Sequence, residues 1–168
     1  MYRAAICEDD PAAMEYLREL ITSNYEDEFQ IKTYGEATDL LDEWEKAGER
    51  LSDVIFMDIR FQDENGIEVA KKLKQRFSHA YIIFVTGVVE YAEEIFEADP
   101  VYFLLKPVSE EKLKLAVNKA LEYLQKEERE CITIPAKGGT LRLRVSDVLF
   151  MESKLREAEI HDLKMSGK

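Results

Sequence analysis

The sequence predicts an α/β fold: a doubly wound five-stranded parallel sheet, followed by a partial all-β segment. Three observations predict it. Val54-Ile55-Phe56-Met57 is an unbroken apolar run bounded by Asp53 and Asp58, as in a strand buried on both faces of a parallel sheet. Five such strand-like runs alternate with five helix-periodic stretches as far as about Gln125, which calls for right-handed β–α–β crossovers. Beyond that point the pattern changes to Ile132 and Ile134, a Lys137-Gly138-Gly139 turn, then Leu141, Leu143 and Val145, as in a hairpin. A chain of 168 residues holds one ordinary domain and part of a second.

Each element has its own local reason. Arg3–Cys7 is a short first strand. Asp10-Pro11 starts a helix, with Asp10 as N-cap and Pro11 at its first position. Ala13, Met14, Leu17, Leu20 and Ile21 follow at helical spacing and mark the face that packs on the sheet. Phe29, Ile31 and Thr33 alternate with Gln30, Lys32 and Tyr34, which reads as an edge strand. A helix over 36–47 gathers Leu40, Leu41 and Trp44 in one packing stripe and ends at Gly48. The strand ending at Asp58 leads through a 60–65 loop and Gly66 into a helix bearing Ile67, Ala70, Leu73 and Phe77. Tyr81–Val85 is a buried strand ending at Thr86-Gly87. An acidic helix over about 90–98 stops before Pro100. Tyr102–Leu105 is the fifth strand, ending at Lys106-Pro107. Ser109 caps a last helix whose inner stripe is Leu113, Ala116, Val117, Ala120, Leu121 and Leu124. Val148–Met151 and Glu159–His161 are candidate later strands.

Composition narrows the function classes. Charged residues make up 35% and hydrophobic residues 46%, which fits a packed globule rather than a disordered chain. No apolar run reaches the roughly 18 residues of a membrane span. Cys7 and Cys131 form no disulfide framework, and the pair His79 and His161 forms no zinc site. A reducing cytoplasm is the expected compartment. The net charge of −12 is uneven: residues 1–128 hold 15 Lys/Arg against 29 Asp/Glu, and residues 129–168 hold 8 against 6. The first part repels nucleic acid, whereas the tail does not. The sign changes at Glu127-Glu128-Arg129-Glu130, the best candidate linker.

The strand ends carry the chemistry. The first ends in Glu8-Asp9-Asp10, the third in Asp58, the fourth in Thr86 and the fifth in Lys106, and in a parallel sheet these ends share one rim, where open α/β folds bind ligands. Clustered carboxylates repel one another unless a cation intervenes. Lys106 supplies one fixed charge, and a hard divalent ion such as Mg²⁺ suits the remainder. A phosphoryl group at Asp58 would meet the metal, Lys106 and the Thr86 hydroxyl, and carboxylates are known phosphoryl nucleophiles. Taken singly, Asp58 also fits a loop opening or a helix cap, Thr86 an ordinary strand end, Lys106 a solvated lysine and Phe103 a core residue. Asp10 is better explained as a helix cap than as a ligand.

The segments ICEDD, FMDIRFQDENGIEVAKKL, IIFVTG and YFLLKP resemble the receiver domain of bacterial two-component response regulators, in the family's order and spacing over about residues 1–125. The resemblance implies a flavodoxin-like sheet of order 2-1-3-4-5 and a receiver domain at 1–126. It implies Asp58 as phosphoacceptor, Asp9 as a direct metal ligand, Glu8 acting through water and the Arg60 backbone carbonyl as a further ligand. It implies Thr86 and Lys106 on the phosphoryl oxygens and Phe103 at the aromatic switch position. It further implies a sensor histidine kinase partner, a Mg²⁺ requirement, a homodimer through the 90–125 face, and no enzymatic turnover beyond slow self-catalysed phosphotransfer and dephosphorylation. The chain departs from the family in having Glu8 for the usual Asp, Gln62 for a common proline, Gly87 for a common alanine, and a Phe103 that lacks a hydroxyl. In the family the bond corresponding to Lys106-Pro107 is often cis.

After a linker at 127–131, residues 132–168 are similar to the opening of a LytTR-type DNA-binding domain, whose later DNA-contacting segments are absent here. The resemblance implies DNA binding only through a complete domain of that kind, with Lys154 and Arg156 facing phosphates or solvent. Other readings are a receiver-like module that works without phosphate, an aspartyl-nucleophile phosphatase, and a flavodoxin-like cofactor binder. Ile59-Arg60 after Asp58 count against the phosphatase, which needs a second acid there. Glu8-Asp9-Asp10 count against the cofactor binder, because they repel phosphate.

Overall fold

The computed structural model describes residues 1–61, 65–77, 79–87, 92–136, 139–144, 148–154 and 157–162. The chain divides into two compact units, Met1–Leu121 and Glu122–Lys168.

In the first unit, β1 (Tyr2–Cys7), β2 (Phe29–Tyr34), β3 (Val54–Met57), β4 (Tyr81–Thr86) and β5 (Tyr102–Leu105) form one parallel sheet of order β2-β1-β3-β4-β5. The interleaved helices are α1 (Pro11–Asn24), α2 (Ala37–Ala47), α3 (Gly66–Arg76), α4 (Ala92–Glu97) and α5 (Glu110–Arg129), whose residues from Glu122 onward belong to the second unit. This is the flavodoxin-like architecture the sequence leads one to expect.

All four residues of β3 are buried, as a strand covered on both faces requires. On one face Ala5, Cys7, Ile55, Met57, Ile82 and Phe84 join a core cluster with Leu40, Leu41 and Trp44 of α2 and with Ile67, Ala70 and Leu73 of α3. Trp44 is fully buried and meets the Phe77 ring edge-on at 5.1 Å, so it packs rather than binds. The alternate strand residues Ala4, Ile6, Val54, Phe56, Ile83 and Val85 are buried on the opposite face, as are Leu17 and Ile21 of α1 and Leu113, Ala116, Val117 and Ala120 of α5.

The caps follow their chemistry. Asp10 Oδ1 accepts from the Ala12 N–H at 2.9 Å, and Gly48 closes α2 at φ 70°, donating its N–H to the Trp44 carbonyl. Ser109 Oγ accepts from the Lys112 N–H at 3.4 Å at the start of α5.

Three details differ from the sequence reading. The alternation in β2 breaks at its end: Thr33 is exposed and Tyr34 buried, because the Tyr34 ring joins the α2 core and its hydroxyl donates to Glu43 at 2.9 Å. Helix α5 runs past Gln125 to Arg129, through residues 127–129, because Glu and Arg are good helix formers and an exposed helix tolerates a charge run. The start of the acidic helix, residues 88–91, lies outside the described residues, as does Gln62.

In the second unit β6 (Cys131–Ala136) pairs antiparallel with β7 (Gly139–Arg144), and β8 (Val148–Lys154) with β9 (Glu157–Asp162). The hairpin register sets Ile132 opposite Leu143, Ile134 opposite Leu141, Thr133 opposite Arg142 and Cys131 opposite Arg144. Both later strands run longer than their sequence cores. The middle of the Lys137-Gly138-Gly139 turn, Val145 and Arg156 lie outside the described residues.

Candidate functional site

Register builds the site. Cys7 pairs with Met57, so Glu8 and Asp58 leave the sheet side by side, and Leu105 pairs with Thr86, so Lys106 leaves beside Thr86. The backbone ladder continues past the strands: the Asp58 N–H donates to the Cys7 carbonyl at 2.9 Å, and the Lys106 N–H to the Thr86 carbonyl at 2.9 Å.

Glu8, Asp9 and Asp58 each offer a carboxylate oxygen, and these atoms lie within 4.8 Å of one another. Lys106 Nζ donates to Asp58 Oδ2 and to Glu8 Oε2, each at 2.5 Å. Asp58 Oδ1 accepts from the N–H groups of Ile59 at 2.6 Å and Arg60 at 3.3 Å. Glu8 is 2% and Asp58 6% exposed, so these charges are withdrawn from water and must be met by partners. Burial pushes the Glu8 carboxyl above the usual carboxylate range, with the Lys106 hydrogen bond opposing it. Burial works against the Lys106 ammonium, but its hydrogen bonds to Asp58 and Glu8 prevail and hold it above an ordinary lysine. Three carboxylates against one ammonium leave the pocket short of positive charge. All the donors are oxygen, and such a set fits a hard divalent ion.

The remaining expected residues fall around this centre. Thr86 is buried at the end of β4. Arg60 is exposed and bridges Asn65 across the loop. Phe103 is half-buried against the core. Asp10 caps α1 and lies outside the acid cluster. A methyl group on Gly87 would meet nothing within 4 Å, so the glycine leaves room beside Thr86. The Lys106-Pro107 bond is cis.

Sequence reasoning missed two contributors. Gly66 comes so close to the acceptor that a Cβ there would sit 2.0 Å from the Asp58 carbonyl oxygen. Asn65 caps α3, its Oδ1 accepting from the Ile67 N–H at 2.9 Å, and so fixes the return of the loop. The available signal was an Asn-Gly pair at a loop-to-helix junction.

Residues 4–118 match the family model of the response regulator receiver domain. The chain belongs to this receiver family. Among curated relatives, the sensory transduction protein LytT of Enterococcus faecalis is 30% identical over 115 residues, covering 68% of this chain and 46% of the relative. The sensory transduction protein LytR of Staphylococcus epidermidis is 32% identical over 135 residues, covering 80% of this chain and 52% of the relative. The receiver chain thus spans about half the length of these relatives. Among solved structures, the response regulatory domain of mrkE from Klebsiella pneumoniae aligns with a TM-score of 0.62 at 26% identity, over 76% of this chain and 98% of that one. A BeF3-activated DrrB receiver domain aligns at 0.61 and 22%, over 73% and 98%, which speaks to the receiver fold alone. Among the described residues no helix of this receiver is long and apolar enough to cross a membrane.

Proposed function

We propose that this receiver accepts a phosphoryl group on Asp58 from a cytoplasmic sensor histidine kinase. The convergence of Glu8, Asp9, Asp58 and Lys106 on one buried pocket carries the reading. An Asp58 carboxylate oxygen bonds to phosphorus as the phosphorus–nitrogen bond of the phosphohistidine breaks, and the imidazole leaves with the bonding pair and takes up a proton. Lys106 and the Thr86 hydroxyl hold the transferred oxygens. Glu8, Asp9, Asp58 and the Arg60 carbonyl would hold a magnesium ion, which when bound offsets the charge that gathers on the phosphoryl oxygens.

Modification shifts a two-state equilibrium around Thr86 and Phe103, and the 90–125 face then pairs with a second copy. Phe96 of α4 and Leu115 of α5, 79% and 54% exposed, support that surface as apolar and unburied. Residues 1–126 act as the receiver, 127–131 as the connection, and 132–168 as the first part of a LytTR-type DNA-binding domain through which the whole protein switches transcription.

Acetyl phosphate with magnesium is expected to add one phosphate per chain, read by intact-protein mass, and chelator or Asp58→Asn to abolish it. Labelling that persists in Asp58→Asn would remove Asp58 as the acceptor.

A further inference from the structure

Glu8 and Lys106 leave the sheet on β1 and β5, with β3 and β4 between them, yet Glu8 Oε2 and Lys106 Nζ stand 2.5 Å apart. The other oxygen of Glu8, Oε1, accepts from the Asp10 N–H at 3.3 Å. Both oxygens of this carboxylate are therefore engaged by donors of the chain itself. An aspartate, shorter by one carbon–carbon bond of about 1.5 Å, would leave a gap of that order to the present lysine position.

We propose that Glu8 is a positioning residue that clasps Lys106 in the cation-free receiver, and that this clasp and a divalent cation in the acid cluster exclude one another. The ammonium now bonds two of the three clustered carboxylates and offsets one of their charges. A dication among Glu8, Asp9 and Asp58 takes over that neutralisation and repels the ammonium from Glu8 at short range. Cation uptake thereby frees Lys106 to meet the incoming phosphoryl oxygens. The glutamate at position 8 thus couples cation binding to the position of the lysine. The inference rests on the phosphoryl-transfer reading above.

The test is a double-mutant cycle on magnesium affinity, measured by calorimetry for the wild type, Glu8→Asp, Lys106→Met and the pair. Lys106→Met is expected to tighten magnesium binding roughly tenfold in the wild-type background, the size of a charge-assisted hydrogen bond no longer in competition. In the Glu8→Asp background the gain is expected to shrink to less than about threefold, because only the bond to Asp58 is left to compete. Glu8→Asp alone should bind magnesium more tightly than the wild type, which mere structural damage would not produce. In chelator, Lys106→Met should lower the melting temperature more in the wild type than in Glu8→Asp. Should Glu8→Asp fail to fold, Glu8→Gln, of equal length and without charge, serves in the same cycle. Independent effects, or a Glu8→Asp variant that only weakens magnesium binding, would overturn the clasp. A wild type that binds magnesium and takes phosphate while the cycle is additive sinks the clasp alone, whereas one that does neither sinks the phosphoryl-transfer reading itself.

Discussion

The two rims of the five-stranded sheet are built from the same residue types and behave differently. At the N-terminal rim, Arg3 and Arg50 converge on Asp53 at 3.1 and 3.5 Å, the Arg3 N–H adds a bond at 2.7 Å, and Arg50 also donates to the His79 carbonyl at 2.5 Å. There two guanidinium groups meet one carboxylate, which is 15% exposed. At the C-terminal rim one ammonium bonds two of three clustered carboxylates, and the side chains of Glu8 and Asp58 are 3% and 8% exposed. The first rim is electrostatically closed, and water can reach it. Among the described residues, the second has three clustered carboxylates and the single ammonium of Lys106, a deficit of positive charge. An ion pair by itself therefore says little about function. The sign of the local imbalance, and whether water can relieve it, says more.

Removing one charge from each rim tests that contrast. Lys106→Met strips the buried carboxylates of their ammonium, and in chelator it is expected to cost roughly 2–3 kcal/mol of stability, reduced from a fully buried pair by the lysine's partial exposure. Magnesium should restore much of the loss by binding only the folded form, whereas uptake of phosphate from acetyl phosphate should remain impaired. Asp53→Ala should cost about 1 kcal/mol and the same amount with or without magnesium. Thermal melts of both variants in chelator and in magnesium check it. A magnesium-dependent Asp53 effect would erase the distinction between the rims.

A smaller effect is expected from the backbone that supports the acceptor. Gly66→Ala would drive a methyl group into the Asp58 carbonyl, so the backbone at Asp58 or Gly66 must shift. A destabilisation of about 1–3 kcal/mol is expected, together with slower labelling of Asp58. Gly87→Ala, where a methyl group meets nothing within 4 Å, is the neutral comparison. Equal melting temperatures for Gly66→Ala and the wild type would mean that Gly66 does not pack closely against the Asp58 carbonyl.

How much of this was legible follows from what sequence encodes. Strand ends were legible, because an apolar run that stops at a charged residue marks both a strand and its rim, and this placed Glu8, Asp58, Thr86 and Lys106 together. Tertiary reach was not. Whether Glu8 meets Lys106 depends on the span of two long side chains across two intervening strands, and no local pattern encodes that. Gly66 read as a junction because its close approach to Asp58 involves backbone from the far side of a loop. The helical character of residues 127–129 was masked by a charge run that suits a linker and an exposed helix equally well. Tyr34 was assigned to the solvent side by alternation alone, and its burial comes from α2, which lies on that side of the edge strand.

That tyrosine gives the smallest test, at the outer end of the C-terminal rim. Tyr34 donates to Glu43, which also accepts from Lys32 at 2.6 Å, so one acid is met by one base and a phenol, with no deficit of positive charge. Burial pushes the Tyr34 hydroxyl well above an ordinary phenol, and the bond to Glu43 adds to the rise. The unfolded chain loses this proton near pH ~10, while the folded chain holds it to higher pH. In that window the folded state binds more protons, so the contribution is complete below pH ~10 and is lost as the pH rises above it. Ultraviolet titration should find Tyr34 ionising last, after Tyr25, which burial also raises, and Tyr34→Phe should remove that last phase. Because Glu43 is partly solvated and retains Lys32, the same substitution should change stability at neutral pH by less than ~1 kcal/mol, with no dependence on magnesium. A magnesium-dependent shift on Tyr34→Phe would extend the charge deficit outward from Asp58 to the edge strand, through the Glu8 N–H that donates to the Tyr34 carbonyl at 3.0 Å.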